Sequence, residues 1–233
     1  MNKEFIKIEH VYKQFDLGEL TVKVLDDINL SVEQGDFIAI MGPSGSGKST
    51  LLYLVGGLDP PYSGSIFIHG RNIADMSDNE RSILRRRDIG FVFQFYNLVP
   101  NLNVEENILL PLLLDGKRKK DYQDRLEMLL ETVGLTHRRR HTPRELSGGQ
   151  QQRVAIARAL INKPDIILAD ELTGNLDSHS GTEVMKLLKR INHEHKVTIL
   201  MVTHSPDAAS YAKAIIRLKD GRICARNGYF SSC

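Results

Sequence analysis

The sequence predicts an α/β fold with a mainly parallel central sheet, and three observations support this prediction. Residues 36–41 form a short, nearly continuous apolar run, which is typical of a strand covered on both faces. A glycine-rich turn follows this run, and a helix is predicted to begin near Leu51. Farther along, predicted strands at 165–169 and 197–202 flank a helix whose apolar face lies within 184–191. Strands that alternate with helices in this way indicate parallel strand pairing.

The first third and the middle of the chain complete the predicted secondary structure. Residues 5–11 and 65–69 alternate apolar and polar side chains, as expected for strands. The middle is predicted to be helical, because apolar residues within 126–133 recur at helical spacing. Gly134 is predicted to end that helix, and a second helix is predicted to start after 148–149.

The composition is that of a protein with a sizeable core and no extreme charge. Of its 233 residues, 41% are hydrophobic and 26% are charged, and the formal net charge is +2. That balance gives no reason to expect an extended nucleic-acid-binding surface. The most apolar stretch, 107–114, contains Pro111 and is far shorter than the roughly 20 residues needed to cross a bilayer. We therefore expect a soluble chain without a transmembrane segment, which reaches a membrane only through a partner.

Two further patterns are first interpreted as features without a catalytic role. Basic clusters at 85–87, 117–120 and 138–140 are expected to be solvated faces, with contact to a partner or to anionic lipid headgroups as the alternative. Cys224 and Cys233 have no metal-ligand spacing and are expected to be unpaired thiols, as in a reducing cytosol.

The glycine-rich turn matches the phosphate-binding loop pattern G-x-x-x-x-G-K-[ST]. Its residues are Gly42, Pro43, Ser44, Gly45, Ser46, Gly47, Lys48 and Ser49. Glycines let the backbone curl closely around a triphosphate, and the helix that begins there directs its positive end at the anion. Lys48 is predicted to reach the β and γ phosphates, and the Ser49 hydroxyl to bind Mg²⁺. Because the loop has a strand before it and a helix after it, a simple glycine turn is the weaker interpretation.

Two carboxylates follow the strand predicted at 165–169. Asp170 and Glu171 end this apolar segment, and the end of a parallel strand places them at the sheet edge where ligands bind. Asp170 is predicted to hold magnesium through its water shell, and Glu171 to orient or deprotonate the attacking water. Together with the phosphate loop, this pair predicts ATP hydrolysis.

A second pair of glycines opens the helix predicted after 148–149, in the segment Leu-Ser-Gly-Gly-Gln at 146–150. Such a helix start favours close backbone approach to an anion, and a simple glycine-containing helix start is the alternative. The first loop already serves the phosphates of this chain's own nucleotide. We therefore predict that Ser147, Gly148 and Gly149 complete the nucleotide site of another subunit.

In combination, these motifs resemble those of the nucleotide-binding subunits of ABC transporters, from the first strand to about Arg222. The resemblance implies an ABC ATPase with the P-loop NTPase fold: a mainly parallel core sheet, an N-terminal antiparallel β-subdomain and an inserted α-helical subdomain. Residues 1–233 would form a single ABC ATPase domain. The helical subdomain would cover about 95–159, and the core with the β-subdomain about 1–94 and 160–233.

The same resemblance implies roles for single residues. Phe15 resembles the aromatic platform that stacks on adenine, and Tyr12 is a competing aromatic residue. Gln94 resembles the residue that links magnesium and the attacking water to the membrane-subunit contact. Asp177 would lie at a dimer seam, and His204 resembles the switch histidine that contacts the γ-phosphate.

Taken together, the implied site has three groups of residues. The catalytic group is Lys48, Gln94, Glu171 and His204. The metal-binding group is Ser49, Gln94 and Asp170. The nucleotide-binding group is Phe15, Gly42, Ser44, Gly45, Ser46, Gly47, Lys48, Ser49, Thr50, Gln94, Ser147, Gly148, Gly149 and Asp177.

The resemblance also implies cofactors and partners. ATP and Mg²⁺ would be bound between two copies of the chain in an ATP-sandwich dimer, and no nucleic acid is expected as a partner. The dimer would bind integral-membrane permease subunits at the cytoplasmic face of the cell membrane. Because base stacking tolerates different bases, ATP is not distinguished from GTP by the sequence.

One position departs from the family pattern, in which a proline usually follows the catalytic glutamate. This chain has Leu172 there. Proline would restrict its own φ and push the preceding residue towards extended geometry. Our hypothesis is that Leu172 causes a modest loss of preorganisation at Glu171 while the fold is retained.

The segments 93–100, 105–108 and 110–112 resemble one branch of the superfamily. This branch contains lipoprotein-releasing, macrolide-exporting and antimicrobial-peptide-resistance systems, together with the cell-division ATPase. A regulatory ATPase that moves a membrane partner without transport is therefore an alternative function. A nucleic-acid ABC ATPase is a second alternative, which is disfavoured because no heptad arms or cysteine pairs separate the phosphate loop from residues 146–150.

Overall fold

The computed structural model describes residues 4–18, 20–226 and 229–230. Its strands are β1 (Glu4–Leu17), β2 (Leu20–Glu33), β3 (Phe37–Met41), β4 (Ser63–Ile68), β5 (Arg71–Asn72), β6 (Ile89–Val92), β7 (Ile166–Asp170), β8 (Thr198–Thr203), β9 (Ala214–Lys219), β10 (Arg222–Arg226) and β11 (Tyr229–Phe230). Its helices are α1 (Lys48–Val55), α2 (Asp78–Arg87), α3 (Val104–Leu114), α4 (Gln123–Thr132), α5 (Gly148–Leu160), α6 (Ser178–His195) and α7 (Pro206–Ala209).

The larger sheet is mainly parallel, as predicted. Within the described residues its strand order is β11-β10-β9-β3-β8-β7-β6. The strand pairs from β9 to β6 are parallel, and β10 runs antiparallel to β9. Every residue of β3, β7 and β8 is buried, which confirms that these central strands are covered on both faces. Because they are parallel, the carboxyl ends of β3, β7 and β8 meet at one edge of the sheet.

Alternate residues of the central strands supply two hydrophobic cores on opposite faces of the sheet. Ala39 and Met201 belong to the core that α3, α4, α5 and α6 cover. Ile40 and Leu200 belong to the core that α1 and the smaller sheet cover. The loop between β3 and α1 therefore connects a strand that contacts both cores to a helix that packs against one of them.

The smaller sheet is antiparallel, with the strand order β2-β1-β4-β5. β1 extends well beyond the predicted strand at 5–11, and its long partner β2 is not predicted by the sequence pattern. The pairing register of β1 with β2 shifts between Ile8 and Val11 and again between Val11 and Lys13. Such bulges interrupt the alternation of apolar and polar residues on which the prediction depends.

The middle of the chain is helical, as predicted. The leucines that define the predicted face of α4 are buried, and Gly134, which follows that helix, has a φ of 68°. The sequence pattern does not predict α2, which is mostly charged, or α3, which contains Pro111. Among the described residues, no helix is both long enough and apolar enough to cross a membrane.

One group of basic residues surrounds Asp115 at the end of α3. Nitrogen atoms of Arg86, Arg87 and Lys117 lie 3.3, 3.1 and 3.4 Å from its carboxylate oxygens. Burial alone would raise the pKa of Asp115, but hydrogen bonds and charge from Arg87 and Lys117 lower it below its usual value. These basic residues remain partly solvated, with Arg87 53% exposed, and through Asp115 they also join the end of α3 to α2.

A second group surrounds Glu105 in the first turn of α3. Its carboxylate pairs with Arg139 at 2.8 Å and also with Lys119. Arg139 reaches Glu127 of α4 at 2.9 Å, so the group connects α3 with α4. Burial would raise the pKa of Glu105, but Lys119 and Arg139 hold it below the ordinary 4.5. Lys119 and Arg139 are therefore not simply solvated either.

The cysteines were expected to be unpaired thiols. Cys224 in β10 is disulfide-bonded, so that expectation is wrong for this residue. Cys233 lies outside the described residues. Disulfide formation depends on the distance and orientation of two residues in space, which spacing along the chain does not reveal.

Candidate functional site

The phosphate loop lies between β3 and α1, at the sheet edge where the carboxyl ends of the central strands meet. Gly45 and Gly47 have φ values of 78° and 96°, in the region that favours glycine. A Cβ atom at Gly42 would lie 2.1 Å from the carbonyl oxygen of Leu218, so a side chain does not fit there. At Gly45 a Cβ atom would meet no atom within 4 Å. The loop is therefore a closely held cradle that is open on one side, as anion binding requires.

The side chains of the loop also suit an anion. Lys48 donates hydrogen bonds from Nζ to the carbonyl oxygens of the first two loop residues, each at 2.9 Å, so its charge lies over the loop. Ser46 Oγ is buried and has no hydrogen-bond partner among the described residues. A buried hydroxyl in that condition is unusual and fits a loop that receives an oxygen-rich ligand. Ser44 is exposed on the loop, and Thr50 is half-buried on α1.

Asp170, the last residue of β7, faces two hydroxyl groups of α1. Ser49 Oγ donates to Asp170 Oδ1 at 3.0 Å, and the Tyr53 hydroxyl donates to Oδ2 at 2.9 Å. Burial, and then the hydrogen bond with Asp170, raise the pKa of Tyr53 to about 12. Oxygen donors from Ser49 and Asp170 are the type that Mg²⁺ prefers. The structure thus brings two predicted metal ligands together and adds Tyr53, which no sequence motif contains.

Glu171 and His204 meet beyond the ends of β7 and β8. His204 Nδ1 lies 2.8 Å from Glu171 Oε2, and the backbone N–H of His204 donates to the same oxygen at 3.3 Å. The backbone N–H of Glu171 donates to the carbonyl oxygen of Val202 at 3.0 Å, which fixes it against β8. The Glu171 side chain is 15% exposed and that of His204 is 64% exposed. The Glu171 carboxylate is therefore fixed in position by His204 and still accessible to water, as a general base requires.

The backbone of Glu171 is unusual, and its neighbour Leu172 is buried. Glu171 has a φ of 47°, a left-handed geometry that is uncommon for residues other than glycine. The extended geometry that a following proline would favour is not the one that Glu171 adopts. Leu172 is 2% exposed and belongs to the core that the helices cover. Leu172 therefore has a packing role that the sequence does not reveal.

Gln94 follows β6 and lies beside the loop after β7. A Cβ atom at Gly174 would lie 3.1 Å from Gln94 Nε2, and Asn175 Nδ2 donates to the Gln94 carbonyl oxygen at 3.2 Å. These contacts place Gln94 next to the segment that begins with Glu171. The structure therefore brings two predicted catalytic residues into one neighbourhood.

The segment after Gln94 is held by a half-buried arginine of α5. Tyr96 and Asn97 have φ values of 55° and 49°, two left-handed residues in succession. Arg158 donates to the carbonyl oxygens of both residues, at 2.8 Å for Tyr96. Burial lowers the pKa of Arg158 below its ordinary value. No sequence motif indicates this contact, because its partners are more than 60 positions apart.

The glycines at the start of α5 pack inside this chain. Ser147 caps the helix by accepting a hydrogen bond from the Gln150 N–H at 3.3 Å. A Cβ atom at Gly148 would lie 2.8 Å from Tyr96 Oη, and one at Gly149 would lie 2.9 Å from Ser180 Cβ. None of these neighbours belongs to the phosphate loop. Close packing within the chain is therefore one physical reason for glycine here.

Asp177 caps α6 by accepting the N–H of Ser180 at 2.9 Å. Hydrogen bonds from Ser180 lower the pKa of Asp177. Asp177 and His204 also line one cavity of 360 Å³. The predicted seam residue is therefore close to the predicted switch histidine.

Both aromatic candidates for the adenine platform are available at the surface. Phe15 is 41% exposed and Tyr12 is 36% exposed. The ammonium group of Lys13 lies 4.8 Å from the centre of the Phe15 ring. Lys13 itself is anchored to Asp59 at 2.8 Å. Phe15 is thus an exposed ring with a fixed cation beside it.

The fold and the site together define a phosphate-loop ATPase: an anion cradle, an Asp170 carboxylate beside Ser49, and a Glu171 carboxylate beside His204 all meet at one sheet edge. The ABC transporter family matches residues 25–174, which is more than half of the chain. The chain belongs to the ABC transporter family, as an ATP-binding subunit that hydrolyses ATP.

Individual relatives agree with this assignment. An uncharacterized ABC transporter ATP-binding protein of Methanocaldococcus jannaschii is 51% identical over 218 residues, which are 94% of this chain and 97% of the relative. The macrolide export ATP-binding/permease protein MacB of Bdellovibrio bacteriovorus is 49% identical over 220 residues, which are 94% of this chain and 33% of MacB. This chain therefore spans about a third of the length of MacB.

A solved structure shows the same fold. A dimeric ATP-binding cassette in a post-hydrolysis state, bound to ADP and Pi, superimposes with a TM-score of 0.86 at 43% identity. The match covers 95% of this chain and 97% of the cassette. The predicted family and fold class are confirmed, and the MacB relative agrees with the predicted branch.

Proposed function

We propose that this chain binds ATP in its phosphate loop and hydrolyses it with Mg²⁺ through the residues at the sheet edge. The observation that carries this proposal is the convergence of the loop with the Ser49–Asp170 and Glu171–His204 pairs. Lys48 supplies positive charge at the phosphates. Ser49, Asp170 and Gln94 would hold Mg²⁺, which would neutralise phosphate charge in the site.

Glu171 acts on the attacking water. Its carboxylate orients the water and accepts its proton, because it is held in place and remains accessible. His204 fixes this carboxylate through its ring and its backbone N–H. Gln94, beside the same segment, connects the site to the surface that follows β6.

Two copies of the chain form the complete site. Ser147, Gly148 and Gly149 of one copy bind the nucleotide held by Lys48 of the other. The start of α5 has a positive helix end, which favours an anion. The dimeric cassette with ADP and Pi supports this arrangement by similarity. Asp177 and His204, on one shared cavity, lie at the seam.

A membrane partner docks beside Gln94. A cavity of 330 Å³ there is lined by apolar side chains of β6 and α3, including Phe91 and Leu114, and by three arginines and two asparagines. Phe95 is 73% exposed and Leu114 is 69% exposed, so apolar surface is uncovered at this point. Residues from about 95 to 159 form a helical subdomain that carries Phe95 and Leu114, and about 1–94 with 160–233 form the core and β-subdomain, which carry Phe91. The partner is an integral-membrane permease subunit, which places the chain at the cytoplasmic face of the membrane.

This chain belongs to the branch of the superfamily that contains exporters. MacB, whose name describes macrolide export, combines an ATP-binding part with a permease in one protein. By similarity, this chain powers a separate permease for export, lipoprotein release or peptide-antibiotic resistance. The second candidate is a regulatory ATPase that moves its membrane partner without transport. Co-purification from native membranes would distinguish them by the permease or regulator that is recovered.

The shared-site model is tested with Glu171→Gln at saturating ATP and Mg²⁺. We expect ATPase activity to fall by about 10²–10⁴-fold, because a general base contributes that much. ATP should then remain bound and hold two copies together, as measured by light scattering after size exclusion. Glu183→Gln, an exposed change on α6, is the matched control and should leave activity and assembly unchanged. A Glu171→Gln protein that stays strictly monomeric would contradict the shared site.

A further inference from the structure

Tyr53 contacts the site although it belongs to none of the motifs. Its hydroxyl donates to Asp170 Oδ2 at 2.9 Å, while Ser49 donates to Oδ1 at 3.0 Å. Asp170 is 7% exposed, so both of its oxygens are engaged in a largely buried setting. The ring of Tyr53 packs against the core formed by α1 and the smaller sheet. The side chain is thus anchored at its apolar end and directed at the carboxylate by its polar end.

The spacing along α1 explains this geometry. Ser49 and Tyr53 are four residues apart and therefore lie on one face of the helix, one turn above the other. Both hydroxyls face the end of β7, where Asp170 is the last residue. Rotation of a carboxylate about its terminal torsion is otherwise soft. Two donors from one rigid helix restrict that rotation, because each carboxylate oxygen accepts a hydrogen bond from a different donor.

We propose that Tyr53 is a positioning residue for magnesium binding: its hydroxyl holds Asp170 Oδ2 so that Oδ1 stays directed at Ser49. This inference rests on the proposed function, in which Ser49 and Asp170 are the metal-holding pair. Groups that hydrogen-bond to a ligating carboxylate orient it, and they affect metal affinity although they do not touch the metal. Tyr53 therefore acts through Asp170 and is not itself a catalytic residue.

The proposed positioning role of the Tyr53 hydroxyl can be distinguished from a purely structural role. A buried hydroxyl needs a partner whatever its function, so loss of the bond alone would alter stability. A structural role would change nucleotide binding equally with and without Mg²⁺. A positioning role changes only the part of the nucleotide affinity that depends on Mg²⁺, because the contacts between the loop and the phosphates do not involve Asp170.

The experiment compares Tyr53→Phe with the wild-type chain. Phenylalanine keeps the ring and its packing and removes one oxygen, so folding should be retained. Tyr62→Phe is the matched control, since Tyr62 is 66% exposed and lies outside the proposed site. Binding of a fluorescent ADP is measured first in EDTA and then during a titration with Mg²⁺, and thermal unfolding is recorded for each protein.

We expect Tyr53→Phe to need about tenfold more Mg²⁺ for half-maximal enhancement of ADP binding. Its ADP affinity in EDTA should equal that of the wild type and of Tyr62→Phe. In an Asp170→Asn background, adding Tyr53→Phe should have no further effect on the Mg²⁺ requirement, because the two residues act through one carboxylate.

Three outcomes would overturn the inference. The Mg²⁺ requirement could be unchanged in Tyr53→Phe, or ADP affinity in EDTA could fall by the same factor as in Mg²⁺. The effect could also persist in the Asp170→Asn background. If the wild-type chain itself binds ADP independently of Mg²⁺, the proposed metal site fails, and that result is distinguishable from a failure at Tyr53 alone.

Discussion

Glu171 combines three constraints in one residue. Its φ of 47° is left-handed, its backbone N–H is bound to Val202, and its carboxylate is held by His204. Left-handed geometry costs of order 1–3 kcal/mol for a residue other than glycine, so the surroundings must impose it. Leu172 contributes to those surroundings, because its side chain is buried in the core covered by the helices. The hypothesis of a loosened Glu171 must therefore be tested together with the packing of Leu172.

Replacing Leu172 by proline should separate the two effects. We expect the free energy of unfolding to fall by about 2 kcal/mol, because a buried leucine is replaced by a smaller ring. At a temperature well below the unfolding midpoint, the ATPase rate should be at least that of the wild type if leucine relaxes Glu171. Leu172→Met, which conserves volume, is the control for packing. A slower Leu172→Pro enzyme would overturn the preorganisation hypothesis.

The motifs of the candidate site could be predicted from the sequence, whereas its supporting residues could not. The loop, Asp170 and Glu171 follow a strand in sequence, so local pattern locates them at the sheet edge. Tyr53 and Arg158 act on residues that are close only in space. The four-residue spacing of Ser49 and Tyr53 was the one available signal, and it identifies a shared helix face without identifying its partner.

At the scale of elements, the start of α5 is fitted against α6. Gly149 is buried, and a Cβ atom there would lie 2.9 Å from Ser180 Cβ and 3.0 Å from its Oγ. Contacts under 3.0 Å require something to shift, and Ser180 Cβ is fixed to its helix backbone. The glycine therefore has a role in the single chain that is independent of any nucleotide.

Gly149→Ala should consequently destabilise the isolated chain. We expect a loss of about 1–3 kcal/mol in urea unfolding without nucleotide, because overpacking outweighs the gain in helix propensity. Gly181→Ala on α6 is the matched control, since its Cβ would meet Thr173 at an ordinary 3.5 Å. Adding Ser180→Gly to Gly149→Ala should recover part of the loss. Wild-type stability in Gly149→Ala would show that this glycine serves only an intermolecular contact.

The buried parallel strands and the α4 and α5 helices were predictable because their apolar patterns are regular. β2 was not, since bulges shift its register with β1. α3 was not, because Pro111 lies inside it and ordinarily argues against a helix. Contacts with the rest of the fold, which the local pattern does not contain, decide the structure of these elements.

At the scale of the whole molecule, two charged groups join α3 to its surroundings. Asp115 binds basic residues around the end of α2, and Glu105 binds Arg139 and Lys119. The pKa of each carboxylate is lowered in the folded chain. A lowered pKa means that the ionised form stabilises the fold above the ordinary pKa. This stabilisation is lost as the pH falls through the folded value.

Glu105→Gln should therefore reduce stability in a pH-dependent manner. At pH 7 we expect the free energy of unfolding to fall by about 2 kcal/mol, the range of charge-assisted hydrogen bonds. The difference from wild type should shrink as the pH falls below the ordinary value of 4.5 and through the lower folded pKa, below which Glu105 is protonated in both states. Urea unfolding across this pH range measures the difference in the free energy of unfolding, and Glu131→Gln, an exposed change, is the control. A difference independent of pH would rule out the ionic contribution.

The half-buried Arg158 ties α5 to the segment that follows Gln94. The helix spans 13 residues, which corresponds to about 20 Å, with the Ser147 cap at one end and Arg158 in its last turn. The hydrogen bonds of Arg158 to the carbonyl groups of Tyr96 and Asn97 join the last turn of α5 to the backbone two and three residues beyond Gln94. Arg158 donates to these two carbonyl groups from two different nitrogen atoms of one planar guanidinium, a fixed geometry that the single ammonium nitrogen of lysine does not reproduce.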